Sequence, residues 1–194
     1  MGLIYSYDIY VPPRNVGKLL TRMAELAPPT PHVPPIEITL PGGDRLLLPF
    51  TSRFKSEPVD CSTADTFELD TAIMFDVDDA LHEYAQRNPR EPAVDGRIQI
   101  GYIYATIRFE SPLHPGYASV DCCAATSDMS RLFACSPNIR KTFTDLTAAA
   151  DGVCCLFDTG DGGPEEVCWL NGETTREMVS GPRFPDRRAL AAAF

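Results

Sequence analysis

Apolar residues recur along this chain with two periods, and each change of period predicts an element. Over residues 3–11 the period is two, with Leu3, Tyr5, Tyr7, Ile9 and Val11 on one face of a strand. Pro12-Pro13 ends it. Asn15 then stands as the cap of a helix in which Val16, Leu19, Leu20, Met23, Leu26 and Ala27 keep i, i+3, i+4, i+7 spacing. Pro28-Pro29 closes that helix. Residues 28–35, which include His32, read as a stiff polyproline-II connector; their PxxP spacing is also that of an SH3-type ligand. Residues 36–40 and 45–50 flank Gly42-Gly43 as a hairpin, because glycine supplies the positive φ of a primed turn.

Period two returns at residues 67–75, with Phe67, Leu69, Thr71, Ile73 and Phe75 on one face. A helix opens at Asp78-Asp79 and runs to Arg87 before Asn88-Pro89. Residues 97–110 read as one long central strand, with Ile98, Ile100, Tyr102 and Tyr104 on one face and Ile103, Ala105, Ile107 and Phe109 on the other. A strand over 117–125 follows, then a short helix capped by Ser127. A second helix has Ser136 as its cap and Pro137 as its first residue, and Asp151-Gly152 ends it. Residues 153–158 and 165–170 form a second hairpin about Asp161-Gly162. Residues 171–185 are polar, and Asp186 caps a last helix over 187–193.

Residues 3–50 and 117–170 therefore share one order, strand, helix, hairpin. The expectation is an α+β fold with an antiparallel-rich sheet and helices on one face. Two tandem β-α-β-β modules of the ferredoxin-like type would form one continuous sheet over residues 1–170, with 171–194 as a C-terminal covering segment.

Composition narrows the class. The chain has 194 residues and a net charge of −10. That charge argues against nucleic acid as a partner, which calls for a basic surface. It is spread over both halves, with nine basic against fifteen acidic side chains in residues 1–97 and eight against twelve in 98–194. No apolar run approaches the ~20 residues of a membrane helix. The first residues lack the basic stretch of a signal peptide, and the formal Met-Gly-x-x-x-Ser myristoylation match falls in a strand pattern. The seven cysteines are an odd number containing two adjacent pairs, which fits reduced thiols in a cytoplasmic protein better than a disulfide framework. Three lysines against fourteen arginines, with abundant Ala, Pro and Asp, suggest a GC-rich bacterial genome on composition alone.

Candidate chemistry is sparse. Cys122-Cys123 and Cys154-Cys155 point to opposite faces of their strands. A turn centred on Asp161-Gly162 puts Cys155 opposite Cys168, a candidate thiol pair. Cys61 lies in a loop beside Asp60, whose charge raises a thiol pKa. Asp76, Asp78 and Asp79 read as helix capping rather than a metal motif, and Asp158 to Gly163 fails the calcium-loop spacing. No metal site or cofactor is expected, and no catalytic residue is identified. Tyr5, Tyr7, Tyr102 and Tyr104 are the candidate binding residues, since their strands as neighbours would put four phenols in one patch. Asp8 and Asp70 sit on the opposite, more polar faces of their strands. The leading expectation is a non-enzymatic binding protein of immunity or inhibitor type, with a basic protein partner or a second copy of itself. The alternative is a small-molecule enzyme or sensor with a Tyr/Asp-lined pocket between sheet and helices.

Overall fold

A computed structural model describes residues 2–29, 33–88, 94–160 and 162–194. His32, Pro89 and Asp161, and with them parts of the connector and turn readings, lie outside the described residues. The elements in chain order are β1 (Ser6–Val11), α1 (Val16–Glu25), β2 (Ile36–Thr39), β3 (Arg45–Leu48), β4 (Val59–Asp60), β5 (Thr66–Thr71), β6 (Met74–Asp76), α2 (Asp79–Arg87), β7 (Arg97–Gln99), β8 (Ile103–Arg108), β9 (Ala118–Ala124), α3 (Ser127–Cys135), α4 (Pro137–Ala149), β10 (Cys154–Asp158), β11 (Glu165–Leu170), β12 (Glu173–Met178) and α5 (Arg187–Ala191).

Seven strands form one antiparallel sheet in the order β12-β11-β10-β1-β9-β8-β5. Its main core is on one face. Tyr7, Ile9 and Val11 of β1, Val120 and Cys122 of β9, and Cys155 and Phe157 of β10 pack there beneath Leu19 and Met23 of α1, Phe133 of α3, and Ile139 and Phe143 of α4. No described helix is long and apolar enough to cross a membrane.

The mixed α+β class with a large antiparallel sheet is therefore as expected, but the continuous sheet of tandem modules is not. The β2–β3 hairpin does not join the seven strands. It makes a separate three-stranded sheet with β4, in the order β3-β2-β4. The reason is visible in its burial: Ile36 and Ile38 turn one face inward to the main core, while Leu47 on the other face is exposed.

The long strand over 97–110 also breaks. β7 pairs with β6, β8 pairs with β5, and Gly101 between them sits at φ +124°. That turn shifts the alternation by one residue, so Ile98 and Ile100 are buried before it and Ile103, Ala105 and Ile107 after it. A Cβ on Gly101 would also lie 3.1 Å from Met129 Sδ. Gly101→Ala is expected to cost about 1–2 kcal/mol in urea unfolding, through backbone strain and displaced Met129.

Three helix caps match their sequence signals: Asp78 accepts from Leu81 N–H, Ser136 from Ile139 N–H and Asp186 from Ala189 N–H. Two do not. Thr126, not Ser127, caps α3, accepting from Met129 N–H, and Ser127 Oγ instead accepts from Leu3 N–H. Asn15 makes no cap bond, and its side-chain amide donates to Ala150 O at the end of α4.

The C-terminal segment does two jobs. Residues 173–178 add β12 to the sheet edge. The chain then crosses to the second face, where Phe184 and Leu190 bury Tyr10, Cys154, Leu156 and Val167 in a smaller core. Rings of Tyr10, His114 and Tyr117 hold Phe194 at centroid distances of 5.4, 6.0 and 5.5 Å. The covering stops at β1, and among the described residues no helix lies on the second face of β9, β8 and β5.

Candidate ligand site on the second face of the sheet

Strand alternation decides which side chains line that face. It turns Ser6, Asp8 and Tyr10 of β1, Ser119, Asp121 and Cys123 of β9, and Tyr104, Thr106 and Arg108 of β8 away from the main core. Register brings them together: Asp8 stands directly opposite Asp121, Tyr10 opposite Ser119, and Thr106 opposite Asp121 from the other side. Ser6, Asp8, Tyr10, Ser119, Asp121 and Arg108 of this set floor a pocket of about 570 Å³, walled by Pro112 and Leu113 on one side and by Asp158, Arg187 and Arg188 on the other.

The walls are fastened. Arg187 donates through Nε and Nη2 to Glu165 at 2.9 and 2.5 Å, and lies 3.4 Å from Asp158 Oδ2. These bonds tie the start of α5 to the β10–β11 hairpin and hold the Arg187 pKa above its usual value, the Glu165 hydrogen bond being the largest cause.

The floor is not neutralised in the same way. Among the described residues, no hydrogen-bond donor reaches the Asp8 carboxylate. Asp121 accepts only from the weak Cys123 thiol donor, at 3.4 Å. Burial pushes the Asp8 carboxyl well above the usual carboxylate range. Asp121 and Asp158 push it the same way, and Arg187 and Arg108 oppose them. The Cys123 thiol, pushed up to about 12 by burial and then by Asp121, stays protonated at neutral pH.

A raised carboxyl pKa costs folding stability as it ionises. The contribution of protonated Asp8 is fully present below about pH 4, the unfolded value, and is lost as pH rises through its raised folded value. Asp8→Asn, whose amide donates to Asp121, is expected to stabilise the protein by about 1 kcal/mol at neutral pH. Denaturant unfolding across pH is expected to show that gain vanishing in acid.

No protein-family model, no curated protein and no solved structure matches this chain. Its function is therefore read from site geometry.

The sequence-predicted residues fall apart into several places. Tyr7 is buried, stacked on Phe143 at 4.4 Å, and its hydroxyl donates to Phe133 O at 2.9 Å. Tyr5 is half-buried, edge-on to Phe157 on the same side. Tyr102 and Tyr104 are exposed, and Tyr104 is on the opposite face, because β9 intervenes between β1 and β8 and Gly101 shifts the alternation. The four phenols do not form one patch. Tyr102 and Tyr104 instead meet Phe54 edge-on, at 5.6 and 6.3 Å. Phe54 is 63% exposed, in a turn where Arg53 and Phe54 both have positive φ. Asp70 holds that turn, accepting from Thr51 Oγ1 at 3.0 Å and Phe54 N–H at 2.5 Å.

Cys155 does not pair with Cys168 in register. A bulge puts Cys155 opposite Trp169 and Leu156 opposite Val167, with Cys168 as the extra residue. The two thiols still touch, both buried and both free. Burial raises Cys155 far above the ordinary thiol value. Cys61 is buried too, pushed up to about 11 by burial and then by Asp60. Among the described residues, no group of three or more His, Cys, Asp or Glu is placed to hold a metal ion.

A second depression, about 460 Å³ between α4 and β12, is lined by Arg140, Lys141 and Arg176. Two of its three cations have structural partners. Arg140 makes a two-pronged bond to Glu166 at 2.8 and 2.9 Å and donates to Thr175 O, and Lys141 pairs with Asp145. The second-face pocket is the more enclosed of the two, and it holds Asp8, a carboxyl group with no protein donor among the described residues.

No motif or spacing in the sequence singles out Asp121, Arg108 or Arg187 as site residues, and Asp158 enters only as the start of a failed calcium-loop spacing. A signal for Asp121 exists: like Asp8, it is an acidic residue at the centre of an otherwise apolar strand pattern.

Proposed function

We propose that this protein binds a small polar molecule in the pocket on the second face of its seven-stranded sheet, acting as a ligand-binding or sensing protein. The supporting observation is the pocket floor: Asp8 and Asp121 face each other across β1 and β9, partly desolvated, with acceptor oxygens that no protein N–H or hydroxyl satisfies among the described residues. Ligand sites combine a cavity of roughly 300–1,000 Å³ with a few convergent polar groups, and this pocket has both. The location departs from the expected one between sheet and helices, since that space is filled by aromatic and aliphatic packing.

Native mass spectrometry of freshly purified protein tests this reading. A small non-covalent adduct on the wild-type chain, lost in an Asp8→Asn, Asp121→Asn double variant, is the expected result. An adduct-free wild type, or an adduct equally retained by the variant, would count against it.

A second reading is docking of a basic protein partner. It is favoured by the exposed Phe54, Tyr102 and Tyr104 cluster, since a bulky residue at positive φ is strained and such strain collects at functional positions. Capture of a partner that depends on Phe54 and weakens steeply with salt would support it. A protein that recovers no partner at low salt would leave this reading without support.

A further inference from the structure

We propose that the opposed Asp8 and Asp121 carboxyl groups on the pocket floor seat a cationic amine of the bound ligand. This rests on the ligand-site reading above and adds the chemical class of the group bound there.

The argument starts from register. Directly opposed residues on antiparallel strands have Cβ atoms about 4.5–5.5 Å apart, and like charges in that position repel. Leu156 flanks Asp8 on its other side and offers no compensation. Of the three cations that line the pocket, Arg108, Arg187 and Arg188, none forms a hydrogen bond or ion pair with Asp8 or Asp121. Arg187 is committed to Glu165 and Asp158. Arg108 stands opposite Ser119, one pleat away from the Asp121 position. The groups facing Asp8 are thus Asp121 from β9, Asp158 from β10, Arg108 from β8 and Arg187 from α5. What the floor presents to the pocket is a surplus of acceptors. An ammonium group presents the opposite, three donors and one positive charge.

Two states then balance. Empty, Asp8 carries a proton, since burial and its neighbours hold its carboxyl above the usual range. Occupied, the ammonium donates to both carboxyl groups, the Asp8 O–H bond breaks with its proton passing to solvent water, and no other covalent bond changes. Because one proton is released as one cation binds, affinity rises with pH until Asp8 is already ionised without ligand. An anion would reverse the dependence, since it would favour protonated Asp8.

The probe is n-butylammonium chloride, followed by amide shifts in ¹H–¹⁵N spectra of the full chain at about pH 5 and about pH 8. Amides of β1 and β9 are expected to move, with binding at least about tenfold tighter at the higher pH, as one displaced proton requires over a unit or more of pH. Asp121→Asn is expected to weaken binding about tenfold or more and to flatten its pH dependence. That variant relieves a like-charge contact, so loss of fold does not account for its effect; its unfolding midpoint verifies this.

Sodium phosphate is expected to leave these amides in place. Butylammonium that moves nothing in the pocket, binds equally at both pH values, or binds Asp121→Asn as well as wild type would overturn the proposal. So would phosphate or calcium chloride acting in its place. Native mass spectrometry separates the two failures. A ligand retained by wild type and lost in the double variant, with no response to butylammonium, sinks the amine alone. The absence of both signals sinks the pocket reading with it.

Discussion

Phe143→Ala is expected to lower the free energy of unfolding by about 4 kcal/mol, the largest effect of any substitution considered. Phe143 is fully buried on α4, stacked on Tyr7 at 4.4 Å with Phe133 at 5.5 Å and Phe75 at 6.1 Å. Removing the ring leaves a cavity between α4 and β1 that rigid strands do not collapse to fill. It also strips the packing that holds the Tyr7 hydroxyl on Phe133 O. In a chain of this length the melting temperature is expected to fall by roughly 10 °C. Phe143→Leu, which refills part of the volume, is expected to lose much less. A loss under about 1 kcal/mol for the alanine variant would mean that α4 is not anchored through this stack.

Asp78→Ala is expected to cost about 2–3 kcal/mol, because one carboxylate serves two helices. Oδ1 accepts from Leu81 N–H at 2.9 Å as the cap of α2. Oδ2 accepts from Ser136 Oγ at 2.6 Å and Asn138 N–H at 3.0 Å at the start of α4. Burial works against this charge, but the hydrogen bonds from Ser136, Leu81, Asn138 and Ala80 outweigh it and hold the pKa below the usual value. The sign is opposite to that of Asp8. The stability Asp78 contributes is present above about pH 4, its unfolded value, and is lost as pH falls through its lowered folded value. Asp78→Ala is therefore expected to converge on wild type in acid, whereas Asp8→Asn converges there from the stabilised side. Asp78→Asn keeps a capping oxygen and is expected to lose less. Denaturant unfolding of the three variants across pH reads all of this.

Much of the secondary structure was legible because caps and periods are local. Ser136-Pro137, Asp78 and Asp186 mark helix starts through bonds within three residues. What failed was set by distant partners or by single residues that reset the alternation. Gly101 moves Tyr102 and Tyr104 out of phase with Ile98 and Ile100, so a tyrosine patch drawn by continuous period two could not survive. The bulge at Cys168 displaces it from Cys155 by the same kind of slip. The strands of the β2–β3 hairpin begin where the pattern puts them, at Ile36 and Arg45, but nothing in its own sequence says that it pairs with β4 rather than with β1. The pocket needed the strand order itself. Asp8 was legible as a residue on a polar face, yet its partner became visible only once β9 was known to lie beside β1. Arg187 entered from a helix 179 positions away along the chain.

The most direct test is a screen of small polar fragments against the full chain, with backbone amide shifts recording where each one lands. Hits are expected to gather around Ser6, Asp8, Ser119, Asp121 and Arg187, on the second face of the sheet. Hits confined to Phe54, Tyr102 and Tyr104, or to the depression between α4 and β12, with the amides of β1 and β9 unmoved, would contradict the assignment of this pocket as the functional site.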